Sequence, residues 1–168
     1  TSLALQMFDQ LKQIHGLGEE CREYLEAAAT LHDVGYHISH TNHHHHSYYI
    51  IKNSELLGFN ENEINIIAHT ARYHRKSHPK DSHIDFCELP FKTQLIVKKL
   101  ASILRIADSL DRTHKKTVHS VECRVKSSKV EMILHTAKNS NPEIELWNVE
   151  RRKGLFEEVF GKKIFLKK

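Results

Sequence analysis

The most constraining feature of this sequence is a change in the spacing of its apolar residues near Arg112. Before that residue, apolar side chains recur every three or four positions, which is the spacing of helices with one buried face. After it, apolar and charged residues alternate over 121–125 and again over 130–134, a pattern typical of half-buried strands. The sequence therefore predicts a helical body followed by a small unit that contains strands.

Five helices are predicted in the body from this periodicity and from the residues that end helices. Asn60 and Glu63 form a capping box at the start of one of them. The polar segment from Ser77 to Pro90 is predicted to be a loop. The predicted helices cover residues 3–14, 19–32, 44–57, 60–76 and 91–112.

The unit after the body is predicted to have the order ββαβ. Asn141 and Pro142 are a typical helix start, because proline is tolerated at the first helical position. A last strand is expected at 164–166. The predicted fold class is therefore mainly α, with a helical bundle over residues 1–115 and a small ββαβ segment over 116–168.

Length and composition exclude several classes of protein. The 168 residues suffice for one well-buried domain, with or without a small appendage. There is no apolar run of the roughly 20 residues that cross a bilayer and no signal-peptide pattern, so no membrane partner is expected. Cys21, Cys87 and Cys123 are too far apart for a zinc ribbon or a disulfide framework, which predicts a cytoplasmic protein. A net charge of +4 allows anionic ligands but is too small to indicate nucleic acid.

Histidine is unusually abundant, with 15 residues, and much of it lies between residues 31 and 59. The pair His32–Asp33 follows an Ala-rich apolar run, Gly35 interrupts the helix, and the run 43–46 is four histidines. Nitrogen and oxygen donors in this mixture suit Mn, Fe, Zn or Mg. The alternative is that the His-Asp pair is a chance dipeptide and that the histidine run is a solvated loop.

Asp108 strengthens the metal hypothesis, because it interrupts the apolar stripe of the last predicted helix of the body. A buried carboxylate without a partner is costly, so it requires a cation or a strong donor. A salt bridge to Arg105 or Arg112 is the alternative. The candidate metal ligands are His32, Asp33, His43, His46, His74 and Asp108.

Several long strings resemble the HD phosphohydrolase superfamily, and within it the C-terminal half of the exopolyphosphatase/guanosine pentaphosphate phosphohydrolase family. They are FDQLKQIHGLG, LHDVGYHISHTNHHHHSYYIIKNSELLGF, ARYHRKSHPK, ILRIADSLDRTH and ELWNVERRKGLFEEVFGKKIFL. The resemblance implies an HD helical bundle followed by a small α/β segment. It also implies a metal-dependent phosphohydrolase acting on polyphosphate or guanosine pentaphosphate.

Residue by residue, the resemblance assigns the His-Asp pair to His32 and Asp33 and the late aspartate to Asp108. The histidine that opens a helix falls best on His43, with His46 as the alternative, and the remaining position falls on His74. The superfamily's first histidine would precede Thr1, and the family's phosphoryl-transfer portion would lie upstream. We therefore expect a truncated first helix and an upstream catalytic domain as a partner.

If divalent metal ions bind, they would lower the pKa of a bridging water and neutralise phosphate charge. The predicted catalytic residues, His32, Asp33 and Asp108, would hold one ion. His74 with His43 or His46 would hold a second, with Asp33 between the two. The residues predicted to bind a phosphate chain are Arg75, Arg112, Lys52, Arg72 and Lys76, and their alternative is a solvated basic face.

Two functions follow from the sequence. The first is hydrolysis of a phosphoanhydride or phosphoester, with polyphosphate or a phosphorylated nucleotide as the ligand. The second is a non-catalytic module that binds polyanions, or that forms a homodimer, in the service of an upstream catalytic domain.

Overall fold

The computed structural model describes residues 1–138 and 140–167. It confirms a mainly helical chain with a small three-stranded sheet. A short 3-10 helix, Val34–His37, connects the third and fourth helices. The helices of the body are α1 (Ser2–Gln10), α2 (Lys12–His15), α3 (Glu19–Leu31), α4 (His43–Lys52), α5 (Glu61–Arg72), α6 (Ile84–Cys87) and α7 (Phe91–Leu110).

The remaining elements form the predicted ββαβ unit, whose three strands lie side by side in the sheet in their order along the chain. The first two strands are antiparallel and the third is parallel to the second, so two helices supply the crossover. The predicted boundary at residue 115 falls in the connection between α7 and the sheet, and the independence of the two parts stays a prediction. The elements are β1 (Val118–Val125), β2 (Lys129–Thr136), α8 (Glu143–Arg152), α9 (Gly154–Phe160) and β3 (Lys163–Lys167).

The helices are shorter than periodicity predicts. The helix expected to reach residue 57 ends at Lys52, because the side chains of Asn53 and Ser54 donate to carbonyl oxygens of the last turn, those of Tyr49 and Ile50. The first predicted helix divides into α1 and α2, and the last into α8 and α9. The capping box at Asn60 and the start of α7 at Phe91 are as predicted. The predicted loop before α7 contains the single turn of α6.

Two glutamines of α1 attach the sheet to the body. The backbone N–H of Val121 donates to Oε1 of Gln6 at 3.1 Å, and that of Cys123 donates to Oε1 of Gln10 at 2.7 Å. Nε2 of Gln10 donates in return to the carbonyl oxygen of Val121 at 2.8 Å. These side chains cover the edge of β1 that no strand pairs, and they align the sheet with the bundle.

Apolar residues of the body and of the ββαβ unit form one continuous core. None of the described helices is long and apolar enough to cross a membrane.

Gly35 is the closest point of approach between the 3-10 helix and α4. A Cβ atom at this position would lie 2.1 Å from the carbonyl oxygen of His43 and 2.5 Å from the backbone nitrogen of Ser47. Ser47 Oγ accepts a hydrogen bond from the Gly35 N–H and donates one to the carbonyl oxygen of His32. The chain after α3 is therefore held directly against the first turn of α4.

We expect Gly35→Ala to lower the free energy of unfolding by about 1–3 kcal/mol, because two backbone atoms would have to move. Urea denaturation measures this. Gly154→Ala is the matched control, since the nearest atom to its new Cβ is a His78 side-chain carbon at 3.5 Å. An unchanged midpoint for Gly35→Ala would show that the two segments are not in close contact.

A buried histidine lies in the aromatic part of the core. His69 is fully buried, with its ring centroid 4.8 Å from that of Tyr48 and 6.0 Å from that of Phe86. Neither ring nitrogen has a hydrogen-bond partner among the described residues. Burial, assisted by the positive charge of Arg72, lowers the pKa of His69 to about 3. The ring is therefore neutral in the folded state at pH values where an unfolded chain would protonate it.

We expect the free energy of unfolding of His69→Phe to decrease less than that of the wild type as the pH is lowered. The unfolded state binds a proton at His69 below its ordinary pKa of 6.5, and the folded state only below about 3. The free energy of unfolding of the wild type therefore decreases as the pH is lowered through that window, by about 1.4 kcal/mol per pH unit for this residue. The variant should lose that slope in urea denaturation between pH 7 and pH 4. His135→Phe is the control, because its imidazole is exposed to water in the folded state; an unchanged slope in His69→Phe would contradict the prediction.

Candidate functional site

Five of the candidate ligands come together from four segments. His32 and Asp33 directly follow α3, and His43 is the first residue of α4. His74 lies two residues after α5, and Asp108 is in the last turn of α7. We call these five residues the His-Asp cluster.

Asp33 is the centre of the His-Asp cluster, and its two carboxylate oxygens face different histidines. Oδ1 lies 3.1 Å from Nε2 of His43 and 3.8 Å from Nε2 of His74. Oδ2 lies 3.4 Å from Nε2 of His32, and that nitrogen is 3.6 Å from Oδ1 of Asp108. Asp33 therefore lies between two groups of donors, as a bridging carboxylate does.

All three histidines of the cluster point the same ring nitrogen inward. Nδ1 of His32 lies 2.9 Å from the carbonyl oxygen of Ala29, and Nδ1 of His74 lies 2.6 Å from that of Ala71. Nδ1 of His43 makes the same contact with the carbonyl three residues earlier, at 3.3 Å. Because a carbonyl oxygen only accepts, each Nδ1 carries a hydrogen, and in the neutral ring Nε2 carries a lone pair.

The inward-facing ring nitrogens of His43 and His74 can share one positive species with the Asp33 carboxylate. Nε2 of His43 and Nε2 of His74 are 3.4 Å apart, and both face Oδ1 of Asp33. Donor atoms about 2.1 Å from one ion lie roughly 3–3.5 Å from each other. The cluster therefore has the donor types and the spacing that a divalent cation needs. Single donor atoms of His32, Asp33 and His74 all lie within 4.8 Å of one another, so they form a wider group of possible ligands.

Charge and burial act in opposite directions on the acids and bases of the cluster. Burial by itself would lower the pKa of His32, but the hydrogen bond with Asp108 and the charges of Asp33 and Asp108 raise it. Burial would raise the pKa of Asp108, but His32, His74 and Arg152 hold it well below its ordinary value. Burial lowers the pKa of His74 strongly. Asp108 is thus an anion and His74 a neutral imidazole at neutral pH.

Asp108 has a partner that the sequence did not indicate. Nη1 of Arg152, at the end of α8, contacts Oδ2 of Asp108. Arg105, one of the two arginines considered from the sequence, instead donates to the carbonyl oxygens of Tyr73 and Lys76, each at 2.9 Å. The ββαβ unit therefore reaches into the cluster through one guanidinium, and Arg105 shapes the loop after α5.

His46 lies outside the cluster. It is partly exposed and has no contact with Asp33, His74 or Asp108 among those found in the described residues, whereas His43 is 1% exposed and within 3.4 Å of two members. Nη1 of Arg75 also contacts the His43 ring, at 3.3 Å from Nε2.

A basic cavity of about 560 Å³ lies beside the cluster, and we call it the arginine pocket. Its lining includes five arginines and one lysine, and no acidic residue lines it within the part of the chain described. The guanidinium of Arg151 lies 4.5 Å from the ring centroid of Trp147. The arginine pocket is lined by Arg75, Lys76, Arg105, Arg112, Ile144, Trp147, Asn148, Arg151 and Arg152.

Three of the five residues predicted to bind phosphate line the arginine pocket, namely Arg75, Lys76 and Arg112. The other two lie elsewhere: Nζ of Lys52 donates to the Tyr48 hydroxyl, and Arg72 pairs with Asp85.

The sequence alone did not indicate that Arg105, Trp147, Arg151 and Arg152 line this pocket. Residues 150–153 have the composition of the basic end of a helix. Nothing in their spacing predicts a contact between Arg152 and Asp108, which are 44 positions apart along the chain.

A further cavity, of about 410 Å³, reaches the cluster directly. His32 and Asp108 are part of its lining, together with His114, Lys116 and His119. The cluster is therefore accessible to a ligand of small-molecule size.

Comparison with known proteins identifies the family of the chain. A family model described as "Ppx/GppA phosphatase, domain III" matches residues 1–153. A relative from Pseudoalteromonas translucida (strain TAC 125), named guanosine-5'-triphosphate,3'-diphosphate pyrophosphatase, is 37% identical over 97 residues. That alignment covers 58% of this chain and 18% of the relative, so the chain corresponds to under a fifth of the relative's length. The chain belongs to the Ppx/GppA phosphatase family, in the region of its domain III.

Proposed function

We propose that this chain is a metal-dependent HD-type domain of a phosphohydrolase, which binds and acts on phosphoanhydride substrates. The observation that carries the proposal is the convergence of His43 Nε2, His74 Nε2 and Asp33 Oδ1, with the two ring nitrogens 3.4 Å apart and both facing the carboxylate oxygen. Such a set is costly in a buried site unless a cation is bound. The adjacent arginine pocket suits the negative charge of a phosphate chain.

The residues of the cluster would divide the work of holding divalent metal. His32, Asp33 and Asp108 form one side, and His43 and His74 form the other, with one oxygen of Asp33 facing each. The backbone carbonyls bound to each Nδ1 keep the imidazoles oriented, as outer partners of metal ligands commonly do. A bound ion supplies phosphate neutralisation and a water of lowered pKa, and the donor set suits Mn, Mg, Fe or Zn.

The arginine pocket would hold the phosphate chain next to this centre. Two guanidiniums connect the two regions, because Arg75 contacts His43 and Arg152 contacts Asp108 while both line the pocket. Planar guanidinium forks match phosphate oxygens in geometry as well as in charge. A chain in the pocket would therefore present a phosphoryl group to the cluster.

The substrate class that we infer is polyphosphate or guanosine pentaphosphate. The name of the Pseudoalteromonas relative supports the nucleotide as substrate. The arginine and lysine side chains that line the pocket suit either ligand. We also infer a reducing, cytoplasmic setting, supported by three cysteines that are all free.

The second candidate is a non-catalytic module that binds polyanions, or that dimerises, for an upstream catalytic domain. The arginine pocket favours binding without hydrolysis, since most of its cations do not touch the His-Asp cluster. The small share of the relative that aligns with this chain is consistent with a partner domain in the same polypeptide.

A phosphate-release assay separates the two candidates. Purified chain is incubated with polyphosphate and with guanosine pentaphosphate, with and without added Mn²⁺. We expect Mn²⁺-dependent release that Asp33→Asn abolishes, because the neutral amide cannot bridge two groups of donors. Tight binding of both ligands without release in the wild type would favour the non-catalytic module.

We expect His43→Ala to lower Mn²⁺ affinity by at least about tenfold, because it removes a ligand whose outer contacts alone are worth about 10–100-fold in comparable sites. Titration calorimetry measures the affinity directly. His46→Ala is the matched control from the same run, and we expect it to bind Mn²⁺ like the wild type. An equal loss in both variants would mean that His46 is a ligand.

We expect the double variant Arg112→Ala, Arg151→Ala to bind tripolyphosphate about tenfold or more weakly, since charge-assisted hydrogen bonds contribute strongly to anion binding. Neither side chain pairs with a carboxylate or a backbone carbonyl in the described residues, so the fold should not change. Affinity should also fall as salt is added. Lys52→Ala, outside the pocket, is the control, and equal affinity in the double variant and the control would exclude this pocket.

A further inference from the structure

A small cavity lies on the other side of Arg75, separate from both the cluster and the arginine pocket's other cations. Its volume is about 50 Å³, enough for a few water molecules or one small tetrahedral oxyanion. It lies between the first turn of α4, the end of α5 and the loop before α6. His44, Arg72, Tyr73, Arg75, Ser77 and His83 are in its lining, and we call it the His44 cavity.

Two polar atoms of this lining lack partners. His44 is 5% exposed, and its Nδ1 is buried with no hydrogen-bond partner among the described residues. Nε of Arg75 is in the same situation. Buried polar atoms in folded proteins are nearly always bonded, and a ligand or an ordered water in this cavity would supply the missing partners.

The charge of the His44 cavity selects the kind of ligand. Two guanidiniums line it, and no carboxylate does so within the described part of the chain. Asp85, which does not line the cavity, forms an ion pair with Nη1 of Arg72 at 3.2 Å. Because this one carboxylate offsets one of the two guanidiniums, the pair of arginines keeps a net positive charge. Water would satisfy the unpartnered atoms but would leave this charge uncompensated, whereas an oxyanion does both.

The rest of the lining is already ordered for binding. The Tyr73 hydroxyl and Nδ1 of His83 are hydrogen-bonded at 2.9 Å, and their rings are stacked with centroids 5.6 Å apart. Arg72 lies over the ring of Tyr73 at 5.4 Å. A ligand entering the cavity would therefore meet side chains whose positions are fixed by one another, which lowers the entropic cost of binding.

We propose that the His44 cavity is a binding site for a single phosphate group, with His44 Nδ1 and Arg75 Nε as its buried donors. Free phosphate and the terminal phosphoryl group of a chain share this chemistry, and the volume admits no more than one such group. The site is distinct from the proposed metal centre and does not require a metal ion. Among the described residues, Arg75 is the one side chain that lines this cavity, lines the arginine pocket and contacts the cluster.

The test is calorimetric titration of the metal-free chain with inorganic phosphate. We expect His44→Leu to weaken phosphate binding by about tenfold or more, because a charge-assisted hydrogen bond is lost. His46→Leu is the matched control from the same histidine run, outside the cavity lining, and should bind like the wild type. Phosphate affinity that is equal in His44→Leu and the wild type would overturn the proposal.

A second measurement uses the wild-type protein, so its outcome does not depend on whether a variant folds. In wild-type protein labelled with ¹⁵N-histidine, added phosphate should shift the Nδ1 resonance of His44 more than that of His135, which is exposed on β2. No shift at His44 under saturating phosphate would overturn the proposal, and water alone would then occupy the cavity.

Pyrophosphate distinguishes the two sources of the phosphate group. If a chain terminus enters the cavity, pyrophosphate binding also depends on His44; if only free phosphate fits, it does not. The double variant Arg112→Ala, Arg151→Ala keeps the His44 cavity intact, and we expect it to bind inorganic phosphate normally. Loss of tripolyphosphate binding in that variant, with phosphate binding retained, separates this site from the proposed function.

Discussion

The contact between Gly35 and the first turn of α4 is the constraint on which the His-Asp cluster depends. A glycine allows two backbone segments to approach more closely than any side chain would permit. Ser47 then joins them through hydrogen bonds to Gly35 and His32. Because His32 and Asp33 directly precede this contact and His43 follows it on α4, their side chains meet across a distance set by backbone packing rather than by flexible loops.

The second constraint is the ion pair between Asp108 and Arg152, which connects the ββαβ unit to the bundle. Asp108 is almost buried at the end of α7, and an isolated charge there would be strongly unfavourable. His32 and Arg152 both offset it, one from the cluster and one from α8. The unit after residue 115 is thus part of the site and not only an appendage.

The same guanidiniums link regions of different chemistry. Arg75 lies between the cluster, the arginine pocket and the His44 cavity, while Arg152 lies between the cluster and the arginine pocket. Phosphate bound near either arginine would change the electrostatic field at the histidines and at Asp108. Conversely, a cation held by Asp33 and Asp108 would compete with Arg152 for the carboxylate. Binding of metal and of phosphate in this domain should therefore be energetically coupled.

The sequence by itself determined the helical body, the ββαβ order and the set of residues from which the cluster is drawn. Apolar periodicity is a local property, and a carboxylate such as Asp108 in an apolar stripe is conspicuous because burying it is costly. Only the tertiary structure decided that His43 rather than His46 faces Asp33, since the two are one helical turn apart and the resemblance favoured His43 but left His46 open. It also decided the partner of Asp108, which lies 44 positions from it along the chain, and it assembled the arginine pocket through the packing of α8 against α7.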